Sequence, residues 1–278
     1  MNQVQRGVYI IICFRDAERY QRRIQLASLL KAFSMLLNES DLARVNVIIA
    51  EQTHGLKFNR GLLFNAAVEY IDKKEHNSSE WDIILHDADL LPSMRYMRAH
   101  YLPKCFKSSV SHLGSSWVGR YHNNKNYFGG VLRMAIPIYI KTGGFSNSYY
   151  GWGGEDDDYL WRVIRSGIAI ERQSHSRTAY TDMEGRSLAK KLSWLKEDRR
   201  ARMCNNKWEL GKTANRRISD SRDRYSQSNS ESAYEIVSTL ASATPNASWT
   251  FLLIRPTCIS LAIVPQCSRR LECLKEDV

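Results

Sequence analysis

The first half of the chain alternates between short apolar runs and longer amphipathic stretches. Residues 7–14 are apolar or aromatic without polar alternation, which is typical of a strand buried on both faces. Apolar residues between Ala17 and Leu37 recur at helical spacing, and residues 45–50 form a second apolar run. Strand, helix and strand in this order predict a βαβ unit.

A second predicted helix, residues 61–72, leads into a strand at residues 81–85 that ends in a short acidic segment. Ligands of open α/β sheets bind beyond the carboxyl ends of the strands, so this order predicts a ligand site at residues 86–92. Glycine, serine and aromatic residues dominate between residues 113 and 130, before an apolar run at residues 131–140. We interpret this middle part as α+β.

Polar and basic residues dominate from 190 to 230, which we interpret as helix plus loop, and two closing strands are predicted at residues 234–239 and 248–254. The net charge of +11 favours anionic partners such as phosphates or nucleic acids. The sequence contains no zinc-finger spacing or RNA-binding signature, and basic clusters on helices are usually solvated faces. We therefore expect no nucleic-acid partner, and a basic nucleic-acid-binding module is kept only as an alternative.

The size and composition of the chain narrow its class. With 278 residues, 43% of them hydrophobic, it can bury one substantial core. Its six cysteines form no Cys-x-x-Cys pair, which argues against a zinc ribbon or a thioredoxin-type centre, and its Asn-x-Ser sequons are compatible with a secretory lumen. No apolar run reaches the roughly 20 residues that span a bilayer, so we expect no membrane span in this chain.

Two aspartates, Asp87 and Asp89, stand one residue apart at the predicted strand end. Carboxylate oxygens in this arrangement suit Mg²⁺ or Mn²⁺ held against a phosphorylated ligand, where the cation neutralises a leaving diphosphate. The alternative is that both carboxylates cap a turn before Pro92. We interpret the neighbouring His86 as a hydrogen-bonded structural residue.

Four consecutive acidic residues, 155–158, follow a glycine-rich segment around Trp152. Adjacent like charges repel, and the start of a helix compensates them through its macrodipole. That alternative, a capped helix with an acidic first turn, does not account for the glycines, which allow a ligand to approach closely. A tryptophan face beside carboxylates suits sugar recognition, and one of the carboxylates is a candidate general base.

With these motifs in this order, the chain resembles the β-1,4-galactosyltransferase family, glycosyltransferase family 7, from about Val8 to Ile170. The segments that carry the resemblance are Phe14-Arg15, Phe58-Asn59-Arg60, Asp87-Ala88-Asp89-Leu90-Leu91-Pro92, Tyr127-Phe128-Gly129-Gly130, Gly143-Gly144-Phe145 with Asn147, and Trp152 to Asp158. The resemblance implies a GT-A fold, in which an α/β, Rossmann-like nucleotide-sugar-binding sheet is joined to an α+β acceptor-binding part. It also implies an inverting transfer of galactose from UDP-galactose to the 4-hydroxyl of an acceptor sugar.

The resemblance also assigns residues to the donor and to a metal. The expected donor-binding residues are Phe14, Arg15, Phe58, Arg60, Asp87, Ala88 and Trp152. Asp89, oriented by Asp87, is the expected ligand of Mn²⁺, the implied cofactor. Trp152 matches a tryptophan on a mobile loop that closes over the donor.

On the acceptor side, Asp156 matches the family's catalytic base, which removes the proton of the acceptor 4-hydroxyl. The expected acceptor-binding residues are Tyr127, Trp152, Gly154, Glu155 and Asp157. Tyr127 matches a tyrosine that crowds the 2-position of the donor sugar and so favours galactose over N-acetylgalactosamine. Gly154 favours GlcNAc over xylose as the acceptor, carried on a glycoprotein, glycolipid or proteoglycan.

Three features depart from the family pattern. Family members place further metal ligands in Met-x-x-His or His-x-His, and neither pattern occurs here, so His175 is the nearest candidate. Ala17 replaces a family arginine two positions after Arg15, and Arg19 is the candidate substitute. The family's stem and membrane anchor are missing from this sequence. A second hypothesis is therefore a sugar-binding protein of the same fold with weakened catalysis.

The resemblance also leads to a domain division and a location. We predict a GT-A catalytic core at residues 1–189, a basic helix and loop region at 190–230, and closing strands with a cysteine-containing tail of the same domain at 231–278. The Golgi or secretory lumen is expected from the family, and no signal or anchor is visible in this chain.

Overall fold

Strand β1 (Gly7–Phe14) is the buried centre of the main sheet in this computed structural model. The structure describes residues 7–16, 21–37, 45–102, 108–117, 119, 124, 126–197, 206, 234–244 and 247–256. Strand β1 pairs in parallel with β2 (Val45–Gln52) on one side and with β3 (Trp81–Asp87) on the other. All of its residues are buried, as the unbroken apolar run predicts.

Five further strands continue the sheet on both sides of this parallel centre in the described part of the chain. They are β5 (Val110–His112), β6 (Val131–Ala135), β7 (Ile170–Arg172), β9 (Tyr234–Thr244) and β10 (Ala247–Pro256). The strand order in the described part of the chain is β7-β5-β6-β3-β1-β2-β10-β9, with β6 antiparallel to β3, and β9 to β10. A separate antiparallel pair joins β4 (Leu90–Pro92) to β8 (Tyr180–Asp182).

Helices cover both faces of the main sheet. They are α1 (Arg22–Leu37), α2 (Arg60–Lys74), α3 (Met94–His100), α4 (Ile136–Lys141), α5 (Glu155–Arg165) and α6 (Leu188–Glu197). Successive side chains of a strand point to opposite faces. Accordingly, Ile10 packs in one cluster with Phe33 of α1, whereas Ile11 packs in another with Leu63 of α2 and Tyr159 of α5.

The structure confirms the predicted strand and helix types and moves several ends. Strand β3 continues to Asp87, two residues past its predicted end, so the first aspartate of the dyad belongs to the strand itself. The apolar run at residues 131–140 divides into β6 and α4, because Pro137 suits the first turn of a helix and has no N–H for a strand ladder. Helix α1 is described from Arg22, and residues 17–20 lie outside the described part.

Much of the basic region predicted at residues 190–230 also lies outside the described part, apart from the end of α6 and Asn206. Strands β9 and β10 add to the same sheet as β1, and residues 257–278, with their three cysteines, lie outside the described part. The division into three regions stays a prediction. Within the described ranges, none of the helices has both the length and the apolarity that crossing a bilayer requires.

Candidate active site

Strand β3 carries the aspartate dyad to the edge of the sheet. Asp87 is its last residue and lies beside the end of the parallel strand β1, where Phe14 stands. The Asp87 N–H donates a hydrogen bond to the Gly130 carbonyl (2.9 Å), and Ala88 and Asp89 form the turn into β4. Because parallel strands present their carboxyl ends at one edge, the dyad borders the crevice in which such sheets bind ligands.

Arg60, the first residue of α2, connects the dyad to the acidic cluster. The Asn59 side chain caps this helix by accepting a backbone hydrogen bond from the first turn (2.9 Å), which holds Arg60 in place. The Arg60 guanidinium donates hydrogen bonds to Asp87 and Asp156. Its Nε lies 3.5 Å from the nearer oxygen of Glu155. Three acids from two distant segments of the sequence, Asp87 in one and Glu155 and Asp156 in the other, therefore share one cation.

Burial and mutual attraction shift the pKa of Arg60 and of its three carboxylate partners. It raises the pKa of Asp156 well above the ordinary value, although the Arg60 charge opposes this effect. It likewise raises the pKa of Glu155 and of Asp87, again against the opposing effect of Arg60. Burial alone would lower the pKa of Arg60, but the attraction of the three carboxylates outweighs it and raises that pKa well above its ordinary value. Asp156 thus has the raised basicity that a general base needs.

Helix α5 begins at the acidic cluster. Gly154 caps it at a φ of 90°, a left-handed conformation that glycine adopts without steric cost. Glu155 and Asp156 lie half-buried in the first turn, where the helix macrodipole stabilises anions, and Asp157 is exposed. A Cβ at Gly129 would stand 2.4 Å from Asp156 Oδ2, so only a residue without a side chain leaves room for this carboxylate.

The fourth acid of the cluster has a different role. Asp158 is fully buried, and its Oδ2 accepts a hydrogen bond from Arg162 Nε (2.6 Å). The Tyr149 hydroxyl donates to the other oxygen at 3.3 Å. Breaking such a buried pair leaves an uncompensated charge, so the pair anchors α5 in the core. Asp158 therefore stabilises the fold and does not face the crevice.

We expect Gly154→Ala to lower the free energy of unfolding by about 2–3 kcal/mol, because an L side chain is strained at this φ. Its Cβ would also stand 3.0 Å from the Tyr149 ring. Gly167→Ala, at the other end of α5, is the matched control: Gly167 has a φ of 67° and nothing within 4 Å of its Cβ position. It should cost about 1 kcal/mol. Urea denaturation compares the two, and equal losses would argue against the role of the Tyr149 contact.

The glycine-rich loop holds Trp152 near the predicted donor residues. The Gly151 N–H donates a hydrogen bond to the Phe58 carbonyl (2.8 Å), and Asn206 Nδ2 donates to the Gly153 carbonyl (2.6 Å). Trp152 itself is half-buried. The structure thus brings the backbone next to the predicted loop tryptophan into contact with that of Phe58.

Tyr127 lies on the same side of the site as the candidate base. Its ring is 2.9 Å from the Cβ position of Gly129, whose nearest neighbour is Asp156. The Tyr127 carbonyl accepts a hydrogen bond from Arg172 Nη1 (2.7 Å), which also lies 2.8 Å from His112 Nδ1. Arg172 and His112 were not singled out from the sequence, and they hold Tyr127 in place.

Two of the predicted donor-binding residues, Arg15 and Phe58, lie against each other. The Arg15 guanidinium lies 5.7 Å from the centroid of the Phe58 ring, and its Nη1 donates to the Leu56 carbonyl (2.7 Å). Phe14 is almost fully buried in the core. The segment 17–20, which contains the predicted substitute arginine, lies outside the described part.

Asp89 has a partner that the sequence analysis missed. Its Oδ2 accepts a hydrogen bond from Nη1 of Arg22, the first residue of α1, at 3.1 Å. Arg22 stands in a run of basic residues near a predicted helix start, a signal too common to single it out. Both members of the aspartate dyad are therefore ion-paired with an arginine, Asp87 with Arg60 and Asp89 with Arg22.

The described residues offer few ligands for the implied metal. Among the described residues, no three His, Cys, Asp or Glu side chains converge where they could hold a metal ion. His175 is exposed in a loop held by a hydrogen bond from the Ser176 N–H to the Ser116 carbonyl (2.8 Å), and the structure does not group it with the dyad. Asp87 and Asp89 offer suitable oxygen ligands, yet both are already paired. As arranged, these residues do not fit a resident Mn²⁺.

The neighbouring His86 has a structural role, as expected. It is fully buried, its Nδ1 lies 2.8 Å from the Asp87 carbonyl and its Nε2 lies 2.9 Å from the Tyr101 hydroxyl, which in turn meets the Tyr180 hydroxyl at 3.0 Å. Burial lowers the pKa of His86 to about 4. A neutral imidazole therefore supports the strand end that carries the dyad.

Comparisons with known proteins agree with this arrangement. A family model described as the N-terminal region of glycosyl transferase group 7 matches residues 2–101. Another, described as the N-terminal domain of galactosyltransferase, matches residues 110–186. The chain belongs to the β-1,4-galactosyltransferase family. The resemblance carried by the sequence motifs is thereby confirmed.

Individual members of the β-1,4-galactosyltransferase family show how far the likeness extends. β-1,4-galactosyltransferase 4 of Homo sapiens is 35% identical over 178 residues, which are 63% of this chain and 47% of that protein. β-1,4-galactosyltransferase 3 of Cricetulus griseus is 36% identical over 154 residues, 54% of this chain and 37% of that protein. The chain thus spans less than half of the length of these relatives.

Solved structures extend the likeness to the whole fold. The catalytic domain of Drosophila β-1,4-galactosyltransferase 7 in complex with xylobiose matches with a TM-score of 0.66 and 19% identity, covering 91% of this chain and 95% of that one. A mutant of the same enzyme in complex with manganese, UDP-Gal and xylobiose matches with a TM-score of 0.65 and 20% identity, at the same coverage. These matches confirm the predicted α/β GT-A fold.

Proposed function

We propose that the protein is an inverting galactosyltransferase that moves galactose from UDP-galactose to the 4-hydroxyl of an acceptor sugar. The observation that carries this proposal is the convergence of Asp87 and Asp156 on Arg60 at the edge of the sheet. In this proposal Asp87 belongs to the donor side of the crevice and Asp156 to its acceptor side. Membership of the β-1,4-galactosyltransferase family supports the same reaction.

In the proposed reaction Asp156 takes the proton of the acceptor hydroxyl, and the oxygen attacks the anomeric carbon of galactose. The bond from that carbon to the diphosphate oxygen breaks, and UDP leaves with the electron pair. In-line attack opposite the leaving group inverts the anomeric carbon. Glu155 and Asp157, one residue to either side in the first turn of α5, hold the acceptor hydroxyls as hydrogen-bond acceptors.

Arg60 controls the availability of the base in this proposal. A guanidinium bonded to Asp156 competes with a proton for the same carboxylate, so the base is free only when Arg60 turns to another anion. The diphosphate of the donor is such an anion, because guanidinium groups bind phosphate oxygens with short, charge-assisted hydrogen bonds. Arg15 and Phe58, stacked nearby, extend the donor side of the crevice.

Manganese dependence stays a prediction for this chain. The Drosophila neighbour was determined in complex with manganese and UDP-Gal. In this protein the dyad is paired with arginines, and the described residues do not group a third ligand with it. For this reason no step of the proposed reaction is assigned to a metal.

The acceptor proposed is a terminal GlcNAc, with xylose as the alternative. Gly154 before Glu155 favours GlcNAc, and the acceptor would be carried by a glycoprotein, glycolipid or proteoglycan. The Drosophila neighbour was determined in complex with xylobiose, which is the reason to retain xylose as the alternative acceptor. We place the reaction in the Golgi or secretory lumen, where family members with these substrates are expected.

We expect purified protein to release UDP from UDP-galactose only when a GlcNAc or xylose acceptor is added, with faster release for GlcNAc. The assay is run with and without Mn²⁺, and the product linkage is read by NMR. Binding of sugar without UDP release under either condition would contradict the transferase and support the sugar-binding alternative. The arginine-paired dyad is the observation that favours that alternative.

A further inference from the structure

Asp89 and Arg22 form a contact outside the proposed catalytic steps. Arg22 Nη1 lies 3.1 Å from Asp89 Oδ2 and also donates to Gln25 Oε1 at 2.9 Å. The Arg22 side chain retains 26% of its exposure and the Asp89 side chain 11%. Because both side chains are largely buried from solvent, the attraction between their opposite charges is stronger than it would be in water.

A second carboxylate near Arg22, that of Glu184, has cations of its own. The nearby Glu184 carboxylate is bonded by Lys191 Nζ (2.7 Å) and Arg186 Nη1 (3.3 Å). Among the described ion pairs, the carboxylate that Arg22 contacts directly is that of Asp89.

The backbone of the same region holds Asp89 in place. The Met183 N–H donates to the Asp89 carbonyl (2.8 Å), and Gln25 Nε2 lies 3.5 Å from the Met183 carbonyl. Helix α1, the dyad turn and the segment after β8 are thus tied together around this carboxylate.

A divalent cation bound by Asp89 would need the oxygen that Arg22 now occupies, or would have to sit close to a positive guanidinium. Either arrangement opposes cation binding. The cation and the guanidinium repel each other, and both compete for the negative charge of the same carboxylate. We propose that Arg22 is a resident counter-ion of Asp89 that competes with divalent cations for this carboxylate. Cation binding then requires the partly exposed guanidinium to turn away from Asp89.

This inference builds on the proposed donor site, but its test uses Mn²⁺ alone, so it can fail or hold independently of galactosyl transfer. Mn²⁺ is titrated into the apo protein in the absence of donor and acceptor, and free Mn²⁺ is measured by electron paramagnetic resonance. We expect Arg22→Gln to bind Mn²⁺ about tenfold more tightly than the wild type, a change that corresponds to about 1.4 kcal/mol.

Arg23→Gln is the matched control. It removes the same charge one residue away, but Arg23 is exposed and pairs with Asp16 (2.6 Å) instead of Asp89. A general effect of net charge would tighten Mn²⁺ binding equally in both variants, and that result would overturn the proposal. Absence of measurable Mn²⁺ binding in both would overturn it as well, since removal of Arg22 should expose the site.

Thermal unfolding establishes that each variant is folded. A second variant keeps the test decisive if Arg22→Gln does not fold. Gln25→Met removes the hydrogen-bond acceptor that steadies Arg22 and changes no charge. We expect it to tighten Mn²⁺ binding in the same direction by a smaller factor, and an unchanged or weakened affinity would contradict the competition.

Discussion

Asp156→Asn is expected to lower kcat by about 10²–10⁴-fold while leaving the binding of UDP-galactose within a few-fold of the wild type. An amide cannot accept the proton of the acceptor hydroxyl, whereas the donor side of the crevice, with Arg15 and Phe58, is left unchanged. The measurement combines steady-state UDP release with calorimetric titration of the donor. A loss of donor binding alongside kcat would instead indicate a disrupted site.

Asp157→Asn is the matched comparison for this variant. It changes the same group in the same first turn of α5, but Asp157 is exposed and makes no contact with Arg60 among the described ion pairs. We expect it to raise the KM of the acceptor more than it lowers kcat. If Asp156→Asn retained most of the turnover and Asp157→Asn lost it, the base would have been assigned to the wrong residue.

Arg60→Met is expected to lower the free energy of unfolding by about 3–5 kcal/mol, since it leaves three half-buried carboxylates without the cation that they share. Arg60 also lies over the rings of Phe64 and Phe145, at 5.3 and 5.6 Å from their centroids, and methionine preserves part of that packing. Urea denaturation at pH 7 measures the loss. Arg23→Met, which breaks an exposed ion pair, should cost no more than about 1 kcal/mol.

The loss in Arg60→Met should depend on pH in a defined direction. Arg60 opposes the burial that raises the pKa of Asp87, Glu155 and Asp156, so its removal raises these folded-state pKa values further. A carboxyl group with a raised folded pKa favours the folded state below its unfolded pKa and loses this contribution as pH rises through the folded pKa. The variant should therefore be closer to the wild type at pH 5 than at pH 7. A penalty that grows on acidification would contradict the pairing.

Strand and helix types in the first half of the chain follow from the local pattern. The uninterrupted apolar run of β1 predicts a strand buried on both faces, and helices do cover both faces of that strand. The order of the motifs was sufficient to identify the family, and the assignment of Asp87, Asp89 and Asp156 to a sugar-nucleotide site stays a prediction. What the pattern left undecided was the end of β3 and the division of the run at residues 131–140, where a strand and a helix share one hydrophobic composition.

The sequence by itself therefore determined the fold class and the family, and it named the acids of the site. Only the tertiary structure decided which cation each acid meets. Arg60 reaches across from α2 to three carboxylates, and Arg22 reaches from α1 to Asp89. The tertiary structure also separated Asp158, which is buried against Arg162, from the other three acids of the cluster at the start of α5. The reason is physical: the strength of an ion pair depends on distance and burial, and these are set by how distant elements pack and not by spacing along the chain.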